Sequence, residues 1–371
     1  MAVSYAVSRV LRRASPFLFQ KRCESTMASL TKDEILILLR PPFTNWSNVI
    51  QDAEKVVGYP TSFMNLRCLL SDEFANMALY LRKLVTTISS CRPPKTFLYG
   101  DSKNLQPWGL IILLLSKSVK TNMAATTQLK TIEEQQRILA ELTEMIRTGH
   151  LIHQGIVNVP FAKRSKHTES AIFGNKIAIL LGDYLLVHSK RYASRTKKLR
   201  CVLHNIDSVE RFAGEDYEIV FDTTSISVED VMGNPRKEWT ARTVFNGVSL
   251  LGRGCQSAMV LDRQNRETQN SAYHFGCHVG LAWQAAQFCL ASAPVLFALE
   301  GNPDLYKIID RSKNDVKDVD YEDLKFNILK TDAVDKTKLL YEEHAKKATS
   351  YIESIGQNEA VDMIKKLINT F

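Results

Sequence analysis

Between Ile138 and Val187 the chain carries two long stretches of apolar, helix-like periodicity, and these restrict it to a helical body. Ile138, Leu142, Met145, Gly149, Ile152 and Ile156 recur at spacings of four and three, the repeat of a long helix with one buried face. The second stretch, FGNKIAILLGDYLLV, is almost wholly apolar and too long for a strand. Gln154 and Asn158 are four apart and share a face of the first helix, with Gly155 beside Gln154. A basic segment holding Lys163, Arg164, Lys166 and His167 joins the two.

The rest of the chain agrees with an all-α reading. Its 371 residues suffice for a sizeable core, and strand-like alternation is scarce. Seven scattered cysteines, odd in number and without a Cys-x-x-Cys pair, argue for a reducing compartment and against a disulfide framework or a zinc site. The net charge is +8, but Arg9, Arg12, Arg13, Lys21 and Arg22 stand against Glu24 alone within residues 1–26. Without them the remainder carries about +4, ordinary for a soluble protein and no ground for a nucleic-acid partner. The basic run Arg195, Lys197, Lys198 and Arg200 reads as a solvated face. Residues 1–26 are Arg- and Ser-rich and free of acid up to Glu24, the pattern of a mitochondrial transit peptide, which implies a matrix location. Residues 27–371 then read as a single domain.

Along that domain, Leu30–Leu39 reads as a short helix stopped by Pro41 and Pro42. A helix is expected to follow the Gly58-Tyr59-Pro60 turn, then a loop over Ser89–Asn104 and a buried helix over Trp108–Leu115. Residues 192–238 are polar and read as a drifted helix and a loop, with a helix resuming at Trp239. Thr268 to Leu299 holds no charged residue, which raises a membrane span; His274, His278, Gln284, Gln287 and Pro294 argue against one. His274 and His278, four apart, have the spacing of a metal pair. No Glu follows the first and no third ligand is evident, so core or interface histidines are favoured, with Cys277 a small core residue beside them. Asp183 lies within the second apolar stretch and is expected to be buried with a hydrogen-bond partner. Three helices with charged outer faces close the chain: Tyr321–Leu329, Thr337–Ile355 and Glu359–Phe371.

From Val56 to the C-terminus these segments resemble the trans-polyprenyl diphosphate synthases. Active members carry an Asp-Asp-x-x-Asp motif after a leucine-rich turn ending in His, then Arg-Arg-Gly and Gly-x-Lys-x-Ala-x-Leu-x-Gly-Asp. Here Gln154, Gly155 and Asn158 stand at the three aspartates, and Lys163, Arg164 and Ser165 at Arg-Arg-Gly. The segment YHFGCHVGLAWQAAQFCLAS resembles the approach to the second aspartate motif, with Gln287, Phe288 and Ala291 at its three acids. The loop that follows in active members is deleted. Of the family's Gly-Lys-x-x-Arg-Pro, Lys103 remains; Arg242 with Thr243 stands at its Lys-Thr. The stretch VVGYPTSFMNLRCLLSDEFANMALYLRKLV resembles the non-catalytic, subunit-type members most specifically.

The resemblance implies the isoprenoid synthase fold, an all-α helical bundle around a central cavity. It also implies that Lys103, Lys163, Arg164 and Arg242 are the candidate diphosphate contacts. Ionising an allylic diphosphate requires Mg2+, a hard cation that wants carboxylate oxygens. From Met145 to Thr168 there is no Asp or Glu. No metal or cofactor is therefore expected on this chain, and Mg2+ is expected in a catalytic partner. The expected role is a non-catalytic subunit of a heterodimeric or heterotetrameric polyprenyl diphosphate synthase supplying the ubiquinone side chain. Gly149, five residues before Gln154, is expected to leave the cavity deep enough for a long prenyl chain. The rival role is a stand-alone helical protein holding a prenyl chain or quinone.

Overall fold

The computed structural model describes residues 46–59, 108–119, 126–154, 166–195, 234–286, 293–310 and 321–370. Every regular element among them is helical, in the order α1 (Trp46–Val57), α2 (Trp108–Ser118), α3 (Thr126–Gln154), α4 (Lys166–Arg195), α5 (Pro235–Thr243), α6 (Ser249–Leu261), α7 (Arg266–Ala285), α8 (Ala293–Gly301), α9 (Leu305–Asp310), α10 (Tyr321–Leu329), α11 (Ala333–Ile355) and α12 (Glu359–Thr370). A π-helical turn, Val244–Val248, joins α5 to α6. The segments expected to form a transit peptide (1–26), a helix over Leu30–Leu39 and a helix after Pro60, with most of the 192–238 stretch, lie outside the described residues.

The core is built around α2. Ten of its eleven residues, all but Lys117, are buried. Its hydroxyls spare the interior an unmet donor by bonding within the helix: Ser116 donates to the Ile112 carbonyl and Ser118 to that of Leu115. Helices α1, α3, α6 and α12 surround it. Asn358, just ahead of α12, donates to the carbonyls of Lys117 and Ser118 and so closes the C-terminal end of α2.

Helix α7 is the second axis, packed most extensively on α11 and α6. Asn265 caps it by accepting from the Thr268 amide at 2.8 Å. Its backbone closes on α6 because glycine faces glycine: a Cβ on Gly276 would lie 2.8 Å from the Gly252 Cα. The uncharged composition of 268–285 and 293–299 is explained by this position. Helices α7 and α8 are covered by α5, α6, α10 and α11, and no helix among the described residues is long and apolar enough to cross a membrane.

Helix α4 departs from its expected setting. It rests on α3 and leaves one side uncovered, with Ile172, Phe173, Ile179, Leu180 and Val187 exposed. Asp183 lies on that open side with 59% of its side chain accessible, so the expectation of a buried acid is corrected. An apolar run reads as fully enclosed, but its outer residues here have nothing packed on them within the described residues.

Candidate functional site

The C-terminal half of α3 brings the site's surroundings together. Gly149 faces α4, where a Cβ would meet the Gly182 carbonyl at 3.2 Å and Leu185 at 3.3 Å. Its small size serves the close packing of α3 on α4. One turn on, the His153 ring lies over Gly182: a Cβ there would stand 2.2 Å from the ring. His153 Nε2 is 3.3 Å from both the Ile179 carbonyl and Asp183 Oδ1. Both of those oxygens only accept, so Nε2 carries the proton. Asp183 thus has a hydrogen-bonding partner, on the surface and not in the core.

This arrangement fixes the residue that precedes Gln154, at which α3 ends. Gly182→Ala should expel the His153 ring from α4. The expected cost is about 1–3 kcal/mol in chemical denaturation, recovered in part when His153→Ala is added.

Of the candidate diphosphate contacts, Arg242 is the one within the described residues. Its Nε and Nη2 donate to Glu238 Oε1 at 3.0 and 2.6 Å, one helical turn back, and Glu238 is buried. The guanidinium is therefore already matched to a carboxylate. Lys103, Lys163 and Arg164 lie outside the described residues, as do Gly155, Asn158, Gln287, Phe288 and Ala291.

A charged pair that the sequence reading passed over lies two turns before the end of α3. Glu144 accepts from the Gly109 amide at 2.7 Å and so caps the start of α2. Arg147, 4% exposed, lies with its guanidinium 4.4 Å from the centre of the Trp108 ring. It reaches the π-helical turn as well. Gly247 there has φ +118°, which favours glycine, and a Cβ would stand 2.8 Å from an Arg147 nitrogen. Burial pushes the Glu144 carboxyl up to about 7 against the pull of the Gly109 amide and Arg147. Burial likewise brings Arg147 down to about 10. The sequence hides the two charges, because they lie on the side of α3 opposite the stripe of Leu142, Met145, Ile146 and Gly149 and so read as solvent-facing.

The donors at the two motif positions do not fit a Mg2+ cluster. They are two glutamines, an asparagine, a glycine, a phenylalanine and an alanine, with no carboxylate. His274 and His278 are engaged elsewhere, His278 in a hydrogen bond to His344 and His274 stacked on Tyr351. Among the described residues no three His, Cys, Asp or Glu side chains gather where an ion could be held.

Known proteins place this architecture. The geranylgeranyl pyrophosphate synthetase of the archaeon Geoglobus acetivorans superposes with a TM-score of 0.55 at 15% identity, over 88% of this chain and 98% of that one. The human all trans-polyprenyl-diphosphate synthase PDSS2 is 33% identical over 353 residues, 87% of this chain and 86% of the relative. The mitochondrial solanesyl-diphosphate synthase 1 of Oryza sativa is 24% identical, over 80% of this chain and 74% of the relative. The sequence profile of the polyprenyl synthetases matches residues 105–287. With its all-α isoprenoid synthase fold, the chain belongs to the polyprenyl synthetase family.

Proposed function

We propose that this chain is a non-catalytic subunit of a mitochondrial polyprenyl diphosphate synthase and works beside a catalytic homologue. That homologue holds the Mg2+ in the matrix and builds the ubiquinone side chain. The observation that carries the reading is the replacement of every acid in both motifs, at Gln154, Gly155 and Asn158 and at Gln287, Phe288 and Ala291. Two full carboxylate sets cannot be replaced by neutral amides and apolar side chains in gripping a cluster of hard dications. The similarity to PDSS2 and to a mitochondrial solanesyl synthase supports the pathway and the compartment.

The open face of α4 supports a partner. Five of the seven exposed large hydrophobics among the described residues lie on that one helix. Phe173, Leu180 and Val187 are spaced by sevens, so they form one seam along it.

The test is elongation of an allylic primer with labelled isopentenyl diphosphate and Mg2+, by the chain without residues 1–26, alone and with the catalytic homologue. No product alone, product with the homologue, and co-purification of the two are expected. Leu180→Glu should abolish co-purification while leaving the helical circular dichroism unchanged, because Leu180 is 63% exposed. Robust elongation by the chain alone would reject the non-catalytic role. A homo-oligomer carrying lipid and indifferent to the homologue would favour a prenyl-chain or quinone carrier.

A further inference from the structure

Where α11 lies along α7, two buried imidazoles meet. His278 Nδ1 is 3.0 Å from His344 Nδ1, and the rings stack with centroids 5.2 Å apart. Both residues are 5% exposed. Two nitrogens at this distance share a single proton: one ring donates and the other accepts. The contact therefore requires that at least one of the two Nδ1 atoms be bare, as it is in a neutral pair.

The surroundings add to that requirement. Tyr351 stacks on His278 at 5.7 Å and on His274 at 5.2 Å, while Trp239 of α5 tilts over His344 at 6.2 Å. Aromatic rings thus flank both members of the pair. His344 Nε2 is buried with no hydrogen-bond partner. An imidazolium at His344 would have to place a charged N–H there with nothing to accept it.

The charged neighbours do not relieve this. From α11 come Glu343 and Lys347, from α5 Arg236, and from α7 His274. The one carboxylate, Glu343, is already held by Arg236 and by Lys347. What faces the pair is a carboxylate outnumbered by two cations.

We infer that His278 and His344 form a proton-sensitive latch, which holds α11 on α7 while both rings are neutral, is weakened when His344 takes a proton whose N–H finds no acceptor, and is released when both rings are charged. The site is well placed to matter. Helix α7 ends at Ala285, two residues before Gln287, so release of its partner helix loosens the scaffold of the second motif. Burial pushes His278 down to about 3 and His344 down to about 4, from an ordinary 6.5. For groups depressed in this way the unfolded chain binds more protons than the folded one between those values and 6.5. The latch is at full strength above pH 6.5 and is lost progressively as the pH falls toward 4.

The experiment compares wild type with His278→Phe/His344→Phe by urea unfolding at pH 8 and pH 5. For two such histidines the folding constant should fall about a thousand-fold across that range relative to a chain without them. The double variant should therefore show a pH 8 to pH 5 ratio lower than wild type by about that factor. A ratio equal to that of wild type would overturn the latch. Nitrogen-15 spectra of wild-type histidines supply an arm that does not depend on the variant folding. At pH 5.5 both rings should still be neutral in the folded protein, with one shared Nδ1 proton. An imidazolium at either residue in folded protein at that pH would also overturn it.

Discussion

Gly276→Ala should force α6 and α7 apart and leave the protein about 2 kcal/mol less stable than wild type, after allowing for the helix propensity gained. The new methyl carbon would lie 2.8 Å from both the Gly252 Cα and the Leu251 carbonyl oxygen and 3.0 Å from Cys255 Sγ. Two of these three atoms belong to backbone, so rotamer changes cannot clear them and the helices must separate. The separation would spread, because Cys255, Ala272, Tyr273, Phe275 and Cys277 are all buried in the same core. Gly174→Ala is the control. Nothing stands within 4 Å of a Cβ at that position on α4, so the change should stabilise the chain by about 0.5–1 kcal/mol through reduced backbone freedom. Urea titration of the two variants side by side should separate them by roughly 3 kcal/mol. Equal midpoints would mean that the helices yield at no cost and that the close crossing does not hold the bundle.

Elements whose identity follows from their own residues were the legible ones. Trp108–Leu115 read as a buried helix because nothing in it except Lys117, just beyond, needs water, and the structure extends it to Ser118. The C-terminal helices read at nearly their true bounds because charged outer faces mark them; α11 begins earlier, at Ala333. Helix α1 was missed, although Val49, Ala53 and Val57 recur at fours and are buried, because its polar residues hide a narrow stripe. Asp183 was misplaced for a different reason: which side of a helix meets a neighbour is not contained in composition. The site was legible as a loss of charge at six positions, but the geometry of those positions is described only where α3 ends, at Gln154. The Glu144–Arg147 pair and the His278–His344 contact depend on long-range packing, which no local spacing encodes.

Arg147→Met should destabilise the chain by about 1–3 kcal/mol at pH 8, because it removes the positive charge that offsets the burial of the Glu144 carboxyl. Methionine keeps much of the packing on Trp108 and cannot hold the charge, so the loss reads the electrostatics more than the volume. The Glu144 carboxylate would keep the Gly109 amide as a donor but lose the guanidinium that offsets its enclosure. Its pKa, already up to about 7, would rise further. The deficit should therefore shrink as the pH falls from 8 to 6, by about 1.4 kcal/mol for each unit over which the variant's carboxyl binds a proton that wild type does not. Adding Glu144→Gln should recover most of the loss, since the amide oxygen still caps α2 and no carboxylate is left unmatched. In wild type the raised carboxyl acts with the sign opposite to that of the imidazoles. The folded chain holds its proton longer than the unfolded one, so its contribution to stability is greatest below 4.5 and declines as the pH rises to 7. The His278–His344 pair gains stability over much of the same interval, and the two slopes partly cancel. Glu144→Gln alone should thus steepen the acid loss between pH 7 and pH 5. A profile unchanged by that substitution would mean that the Glu144 carboxyl titrates at its ordinary value and that the buried pair is not what holds the start of α2.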